Sequence, residues 1–126
     1  MAAPNIVAVT TIYGKTAYAT PGDTNPAVLL ANAASSGKVF KINRIVAANV
    51  DGSSAADCTV AINTAAAGSG TSYPIVSTVA VPADASLIVT DKTTAFYLEE
   101  DKSIVVTSGS ADDLAFTVSY EEISSS

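Results

Sequence analysis

The sequence predicts an all-β fold, an antiparallel β-sandwich of two sheets with about eight strands, for which a jelly roll is one suitable form. Short apolar or alternating runs recur through the 126 residues, separated by clusters of Gly, Pro, Asp, Asn and Ser. The apolar residues are mostly small or β-branched, and Trp is absent. We expect one domain over residues 1–126, with residues 1–22 as an N-terminal arm or edge strand and residues 124–126 frayed.

The strands follow from these runs in chain order. Turn residues such as Pro21-Gly22, Ser36-Gly37 and Asp51-Gly52 separate them. Residues 28–34 would also fit a short helix, and we expect a strand there. The predicted strands are Ile6–Tyr13, Lys15–Thr20, Ala27–Asn32, Lys38–Val50, Asp57–Thr64, Tyr73–Val81, Ser86–Leu98 with a break, and Ser103–Glu122 with a turn.

The last strand has the clearest alternation. Leu114, Phe116, Val118 and Tyr120 alternate with small or polar residues, which puts the large apolar side chains on one face. Cys58, the single cysteine, alternates with its neighbours in the same way. We therefore expect Cys58 to be a core residue.

The charge composition narrows the classes of partner. Only 14% of the residues are charged, and the net charge is −6. We expect no nucleic-acid partner, because affinity for phosphate backbones depends on Lys and Arg. We also expect no membrane association and no secretory leader, because no apolar run reaches the roughly 18 residues of a span and the opening MAAPNIVAV lacks a charged leader.

Residue types that carry catalysis are scarce. The chain has no His, and its single Cys cannot form an internal disulfide or a thiolate metal site. The paired carboxylates Glu99-Glu100-Asp101, Asp112-Asp113 and Glu121-Glu122 fall at predicted turns or near the last residues, where we expect them to be solvated and unperturbed. No calcium-loop pattern occurs among them. We predict no enzyme, no catalytic residue, no cofactor and no metal site.

A glycan-binding module is an alternative from a different class. Such modules stack exposed aromatic rings on sugars, whereas Trp is absent here and Phe116 and Tyr120 fall on the predicted core face. Ordinary sheet residues with hydrated hydroxyls are the simpler interpretation of the other tyrosines. Those tyrosines are Tyr13, Tyr18, Tyr73 and Tyr97.

A cluster of bases is one candidate for protein contact. Lys38, Lys41 and Arg44 are half of the six basic residues and lie on one predicted strand. On a regular strand Lys38 and Arg44 share a face and Lys41 points the other way, which leaves Arg44 inward or at a β-bulge. These bases would meet the acidic C-terminal third of a neighbouring copy, or they would pair within their own chain.

The N-terminal segment is a second candidate for protein contact. The first 22 residues carry one charge, Lys15, in a β-prone sequence. Such a segment could be added as a strand to the sheet edge of a neighbour. The contact residues predicted in it are Ile6, Val7, Val9, Ile12 and Tyr13.

Five stretches of the chain resemble small structural proteins of tailed-phage virions, including those of cyanophages. They are residues 29–43 (LLANAASSGKVFKIN), 47–52 (AANVDG), 81–87 (VPADASL), 97–101 (YLEED) and 119–123 (SYEEI). The resemblance spans residues 29 to 123. Because the stretches are strand ends and turns, they transfer fold information and no catalytic residue.

This resemblance implies a β-sandwich or jelly roll that binds the outer capsid surface as a decoration or cement subunit. The implied partners are the major capsid protein or other virion proteins, and the implied location is the virion, assembled in the host cytoplasm. A neck, tail or fibre-base component is the alternative within the same class. We expect a homo-oligomer, with a trimer favoured, because oligomerisation buries neutral faces and hides sheet edges.

Overall fold

The computed structural model describes residues 11–124 of the chain. Nearly all of its regular structure is β, and no helix in these residues could cross a membrane. In chain order the elements are β1 (Thr11–Ala19), β2 (Ala27–Asn32), β3 (Lys38–Asn49), β4 (Ala56–Asn63), β5 (Ser72–Val81), β6 (Ser86–Thr90), a 3₁₀ turn (Lys92–Thr94), β7 (Phe96–Leu98), β8 (Lys102–Ser108) and β9 (Leu114–Ser124).

The strands form two antiparallel sheets with the connectivity of a jelly roll. Sheet A has the order β1-β9-β3-β6, with β7 also paired to β3, and sheet B has the order β2-β8-β4-β5. Early strands pair with late ones in reverse order: β1 with β9, β2 with β8, β3 with β6 and β7, and β4 with β5. The chain is therefore one long antiparallel hairpin wrapped into two sheets, which confirms the predicted β-sandwich.

The first two predicted strands differ from the structure. A break at Gly14 was expected, yet Thr11–Ala19 is a single strand that pairs with β9 from Thr11 opposite Ser124 to Ala19 opposite Phe116. Gly14 does not have the positive φ that would turn the chain, so it continues the ladder opposite Glu121. Residues 6–10 of the first predicted strand lie outside the described residues.

The later strand predictions agree with the structure. Residues 27–32 are a strand, as preferred over a helix. The predicted break in 86–98 is the 3₁₀ turn between β6 and β7, and the turn in the last segment separates β8 from β9. In most of these elements the observed boundaries differ from the predicted ones by one or two residues, which is the usual precision of strand ends.

The core lies between the sheets and is built from alternate residues of both. On β9, Leu114, Phe116 and Val118 are fully buried and Tyr120 is 8% exposed, so the predicted alternation is confirmed. Cys58 on β4 is also fully buried, as predicted. Removing these side chains from water supplies the main force that holds the two sheets together.

Three buried asparagines close the ends of strands β2, β3 and β4. Asn32 donates through Nδ2 to the carbonyls of Lys38 and Leu98. Asn49 donates in the same way to Ser54 and Val81. Asn63 lies at the end of β4, and its Oδ1 accepts from the backbone N–H of Ala65 and Gly70. Each amide thus satisfies buried backbone groups where a strand passes into a loop.

Candidate assembly surface

Strand β1 is a regular sheet edge. Among residues 11–124 it pairs only with β9, so one side of its backbone has no strand partner in that part of the chain. Its ladder contains no register shift and no proline. Such an edge offers a row of N–H and C=O groups on which another strand can be added.

The other three sheet edges are blunted. Strand β5 contains Pro74, makes two register shifts against β4, and has a positive φ of 48° at Thr78. Strand β2 has a register shift between Val28 and Leu30, and the 3₁₀ turn interrupts the edge formed by β6 and β7. Proteins protect edges with these devices, and β1 has none of them. Its one charged side chain, Lys15, is held by Glu122 of the neighbouring strand, so within residues 11–124 the backbone of β1 is the edge most open to pairing.

Gly14 has no role within the described fold that explains a glycine. A Cβ built on it meets no other atom within 4 Å, and its φ is not positive. Glycine weakens a strand interior, and a glycine there often marks the close approach of another backbone or ligand. Gly14 therefore leaves a notch on the outer side of β1, a feature that sequence reasoning treated as a strand break.

The outer face of sheet A, the side that points away from the core, carries exposed apolar groups and few charges. Ile12 and Tyr18 of β1 lie on it opposite Ile123 and Thr117 of β9. Further along the sheet, Val46 pairs with Ile88 of β6. Ile12 is 55% exposed, Tyr18 79% and Ile88 56%. Exposed apolar groups on a weakly charged face are typical of a contact surface.

A β-bulge decides where the three clustered bases point. Lys38 lies opposite Ser124 on the core side, and Lys41 lies opposite Glu121 on the outer face. The register then shifts between Ile42 and Arg44, which turns Arg44 outward opposite Ser119. The expectation that Lys38 and Arg44 share a face is therefore wrong, and the bulge named as its alternative is present. Lys41 and Arg44 are the two that share a face.

Lys38 is occupied within its own chain. Its Nζ lies 2.8 Å from Glu122 Oε1, while Lys15 Nζ donates to Glu122 Oε2 at 2.6 Å. These hydrogen bonds, first that from Lys15, hold the pKa of Glu122 below its usual value, and Glu122 in turn raises the pKa of Lys15. The cluster joins β1, β9 and β3, so intrachain pairing accounts for Lys38.

The sequence predicts that all the paired carboxylates are solvated and unperturbed, and the structure shows exceptions. Glu122 is only 7% exposed, and one oxygen of Glu100, Oε1, is buried without a hydrogen-bond partner among the described residues. Desolvation, followed by the nearby Asp51, raises the pKa of Asp113. Within residues 11–124 no three His, Cys, Asp or Glu side chains are arranged to hold a metal ion.

The charges are separated along the sandwich. Four loops, joined by backbone hydrogen bonds, meet at the end where β1 and β3 finish: residues 20–26, 50–55, 82–85 and 109–113. They carry Asp23, Asp51, Asp84, Asp112 and Asp113 and no Lys or Arg. We call this the acidic end. Like charge disfavours contact between the acidic ends of two copies.

A depression of about 580 Å³ lies beside the β-bulge on the outer face of sheet A. Asp91 borders it and caps the 3₁₀ turn by accepting from the backbone N–H and hydroxyl of Thr93, and these bonds lower the pKa of Asp91. Its other lining residues are Asn43, Arg44, Lys92, Thr93 and Ser119. The depression is polar, and because Arg44 and Lys92 are basic and Asp91 is acidic, its charges are of both signs.

The exposed tyrosines do not form one platform. Tyr13 and Tyr18 lie opposite Glu122 and Thr117, which places them on opposite faces of β1. Tyr97 lies on β7, and Tyr73 lies on β5 of the other sheet. A sugar-stacking site needs rings gathered on one surface, so this dispersion favours the simpler interpretation.

The predicted contact residues are divided by the structure. Ile12 and Tyr13 are exposed on β1, and Lys41 and Arg44 lie on the outer face of sheet A. Ile6, Val7 and Val9 lie outside the described residues. Sequence reasoning named Tyr18 only as a sheet residue with a hydrated hydroxyl, and it missed Ile88 as a surface residue because its apolar character resembles that of a core position.

No protein-family model matches the sequence, and no curated protein matches it. Among solved structures, the chain is similar to a protein of Bacillus endospore appendages, described as a family of disulfide-linked pili. That match has a TM-score of 0.52 at 15% identity and covers 91% of this chain and 90% of the other, so it shows a shared fold.

A second solved structure is a chain of infectious bursal disease virus, Gt strain. It has a TM-score of 0.42 and 7% identity, and the match covers 94% of this chain and 32% of that one. A likeness at this score is too weak to bear on function.

Proposed function

We propose that this chain is a structural subunit of a tailed-phage virion that binds the outer capsid surface as a decoration or cement protein. It performs no chemistry in this role and works by burying surface across neighbouring shell subunits. Binding to the closed shell and not to its dissociated parts would stabilise the particle by mass action. The partners are the major capsid protein and further copies of the chain.

The observation that carries the proposal is the unblunted edge of β1 beside a weakly charged outer face. A protein that works alone in solution has reason to protect such an edge, as this chain protects its other three. The resemblance of residues 29–123 to virion structural proteins supplies the kind of particle. The jelly-roll connectivity is compatible with this role, since the fold also occurs in viral capsid proteins.

The similarity to the pilus protein also favours a role in which many copies of the chain assemble. The copies would be linked in a different way from those of the pilus. The related protein forms disulfide-linked pili. The single cysteine of this chain, Cys58, is fully buried between the sheets. We therefore propose an assembly that depends on noncovalent contacts.

The test uses particles of the encoding phage from which the gene has been deleted. We expect these particles to lose DNA at a lower temperature than wild-type particles, and purified protein to restore the wild-type temperature. The double variant Tyr18→Asp/Ile88→Asp should fold normally and fail to restore it, because both side chains are exposed on the outer face of sheet A. Tyr73→Asp, exposed on the other sheet, is the matched control and should restore it.

Copy number separates the capsid from the neck and tail. Hundreds of copies per particle in a cryo-electron reconstruction would support decoration of the shell, and a dozen or fewer would place the protein in the neck, tail or fibre base. Deletion particles as stable as the wild type would contradict the cement role.

A further inference from the structure

The free edge of β1 has exposed apolar side chains on both of its faces. Ile12, 55% exposed, points to the outer side, and Tyr13, 56% exposed, points to the core side next to Glu122. A strand added to this edge would have to be apolar on both faces to cover them.

Residues 6–9 of the segment 6–10 meet that requirement, and Thr10 links them to β1. Ile6 and Ala8 would lie on one face of an extended segment, and Val7 and Val9 on the other. The first ten residues carry no charged side chain, so adding them to an edge buries no side-chain charge. They immediately precede Thr11, where β1 begins, so every copy that offers the edge also carries the segment.

The geometry points to residues 6–10 of a second copy of this chain as the strand that pairs with the free edge of β1. The pairing is antiparallel, with the side chain of Ile6 over the notch at Gly14 and Ala8 beside Ile12. The large side chain of Ile6 then lies over Gly14, which has no side chain, and the small side chain of Ala8 lies beside the large one of Ile12. This inference rests on the proposed function, because it names a contact through which that function is carried out.

The pairing also explains why Gly14 is a glycine. Any side chain there would occupy the space that the inference gives to Ile6, although nothing within the described chain obstructs it. A β-branched residue at Gly14 should leave the monomer at least as stable, because such residues favour strands. It should at the same time weaken the contact between copies.

The first experiment measures mass by native mass spectrometry at micromolar concentration. We expect the wild-type chain to be an oligomer, and both Gly14→Val and a variant lacking residues 1–10 to be monomers. Thr16→Val adds the same kind of bulk to the same face of β1 outside the notch, and should remain an oligomer. Thermal unfolding of Gly14→Val checks that its fold is intact.

The second experiment tests the register by cross-linking under mild oxidation. A mixture of Ala8→Cys and Ile12→Cys chains should form a covalent dimer containing one chain of each kind. A mixture of Ala8→Cys and Tyr73→Cys is the control and should not. The native Cys58 does not interfere, since it is fully buried and burial raises the pKa of its thiol to about 11.

Two results would overturn the inference: a monomeric wild-type chain, or an oligomer that persists in Gly14→Val and forms no mixed disulfide. Either would leave intact a direct contact between the chain and the capsid, which the particle experiment measures separately. Conversely, an oligomer with the expected cross-link that fails to stabilise deletion particles would support this pairing and contradict the cement role.

Discussion

Lys15 and Glu122 form an ion pair on the core side of sheet A, with 2.6 Å between Lys15 Nζ and Glu122 Oε2. The pair joins the edge strand β1 to β9, and Lys38 of β3 completes it from the other side at 2.8 Å. Glu122 is thereby kept ionised near the end of the core although it is 7% exposed. These ion pairs thus help to hold the edge strand β1 in its own sheet.

We expect Glu122→Gln to lower the free energy of unfolding at neutral pH by about 1 kcal/mol, because Lys15 and Lys38 lose the carboxylate charge with which both pair. Urea unfolding followed by circular dichroism measures this. Glu99→Gln is the matched control, since Glu99 is exposed, and it should leave the midpoint unchanged. Equal midpoints for Glu122→Gln and wild type would contradict the stabilising role.

The same pair predicts the pH dependence of stability. The folded pKa of Glu122 is lowered from 4.5, so its contribution is present above that value and is lost as pH falls through the folded pKa. The pKa of Lys15 is raised from 10.5, so its contribution is lost as pH rises through the folded pKa. The difference between wild type and Glu122→Gln should therefore shrink in acid, which unfolding curves below pH 4.5 can check.

Substitution by alanine is predicted to lower the stability of the protein at Gly68 and to raise it at Gly14. Gly68 has φ +79°, and a Cβ there would lie 3.0 Å from Val28 Cγ2, so Gly68→Ala should cost about 1–2 kcal/mol of stability. Gly14 has neither constraint, and Gly14→Ala should raise stability by roughly 0.5 kcal/mol. Thermal unfolding of the two variants, measured at a concentration that keeps both monomeric, tests the contrast. Equal effects would show that backbone conformation does not separate them.

Asn49 is predicted to be structurally required. It is 3% exposed, and its Nδ2 donates to the carbonyls of Ser54 and Val81, both at 2.9 Å. Asn49→Ala leaves these carbonyls without their donor and should cost about 1–3 kcal/mol. The exposed Asn25→Ala should change stability by less than about 0.5 kcal/mol. Chemical denaturation of both variants provides the measurement.

Cys58 is predicted to resist thiol reagents in the folded protein. Desolvation raises the pKa of its thiol to about 11, so the reactive thiolate is scarce at neutral pH, and the side chain is fully buried. Labelling with a chromogenic disulfide should be slow in buffer and immediate in denaturant. Rapid labelling of the native chain would show that the core between the sheets opens readily.

Alternation and turn residues were enough to predict the two-sheet fold. The run Leu114, Phe116, Val118 and Tyr120 identified one core face, and strand lengths followed from Gly, Pro and Asp clusters. These are local patterns, so they survive in a single sequence. The break expected at Gly14 was wrong because a glycine permits a turn without requiring one, and pairing with β9 decided the outcome.

The candidate surface was predictable only in part. The uncharged N-terminal segment and the bases of β3 were visible as patterns, yet the facing of Arg44 depended on a bulge whose position is set by pairing with β9. Glu122 was expected to be solvated, and it is buried because Lys15 and Lys38, distant in sequence, converge on it. Long-range contacts of this kind leave no local signature.

The sequence by itself determined that this chain is a weakly charged β-sandwich with a buried cysteine, because composition and the two-residue period of strands act within each segment. Only the tertiary structure decided which edge lacks a strand partner within residues 11–124, and that Gly14 lies on it with no other atom of those residues near its Cβ position. Edges are defined by which strands lack neighbours, and that depends on how the hairpin wraps into two sheets.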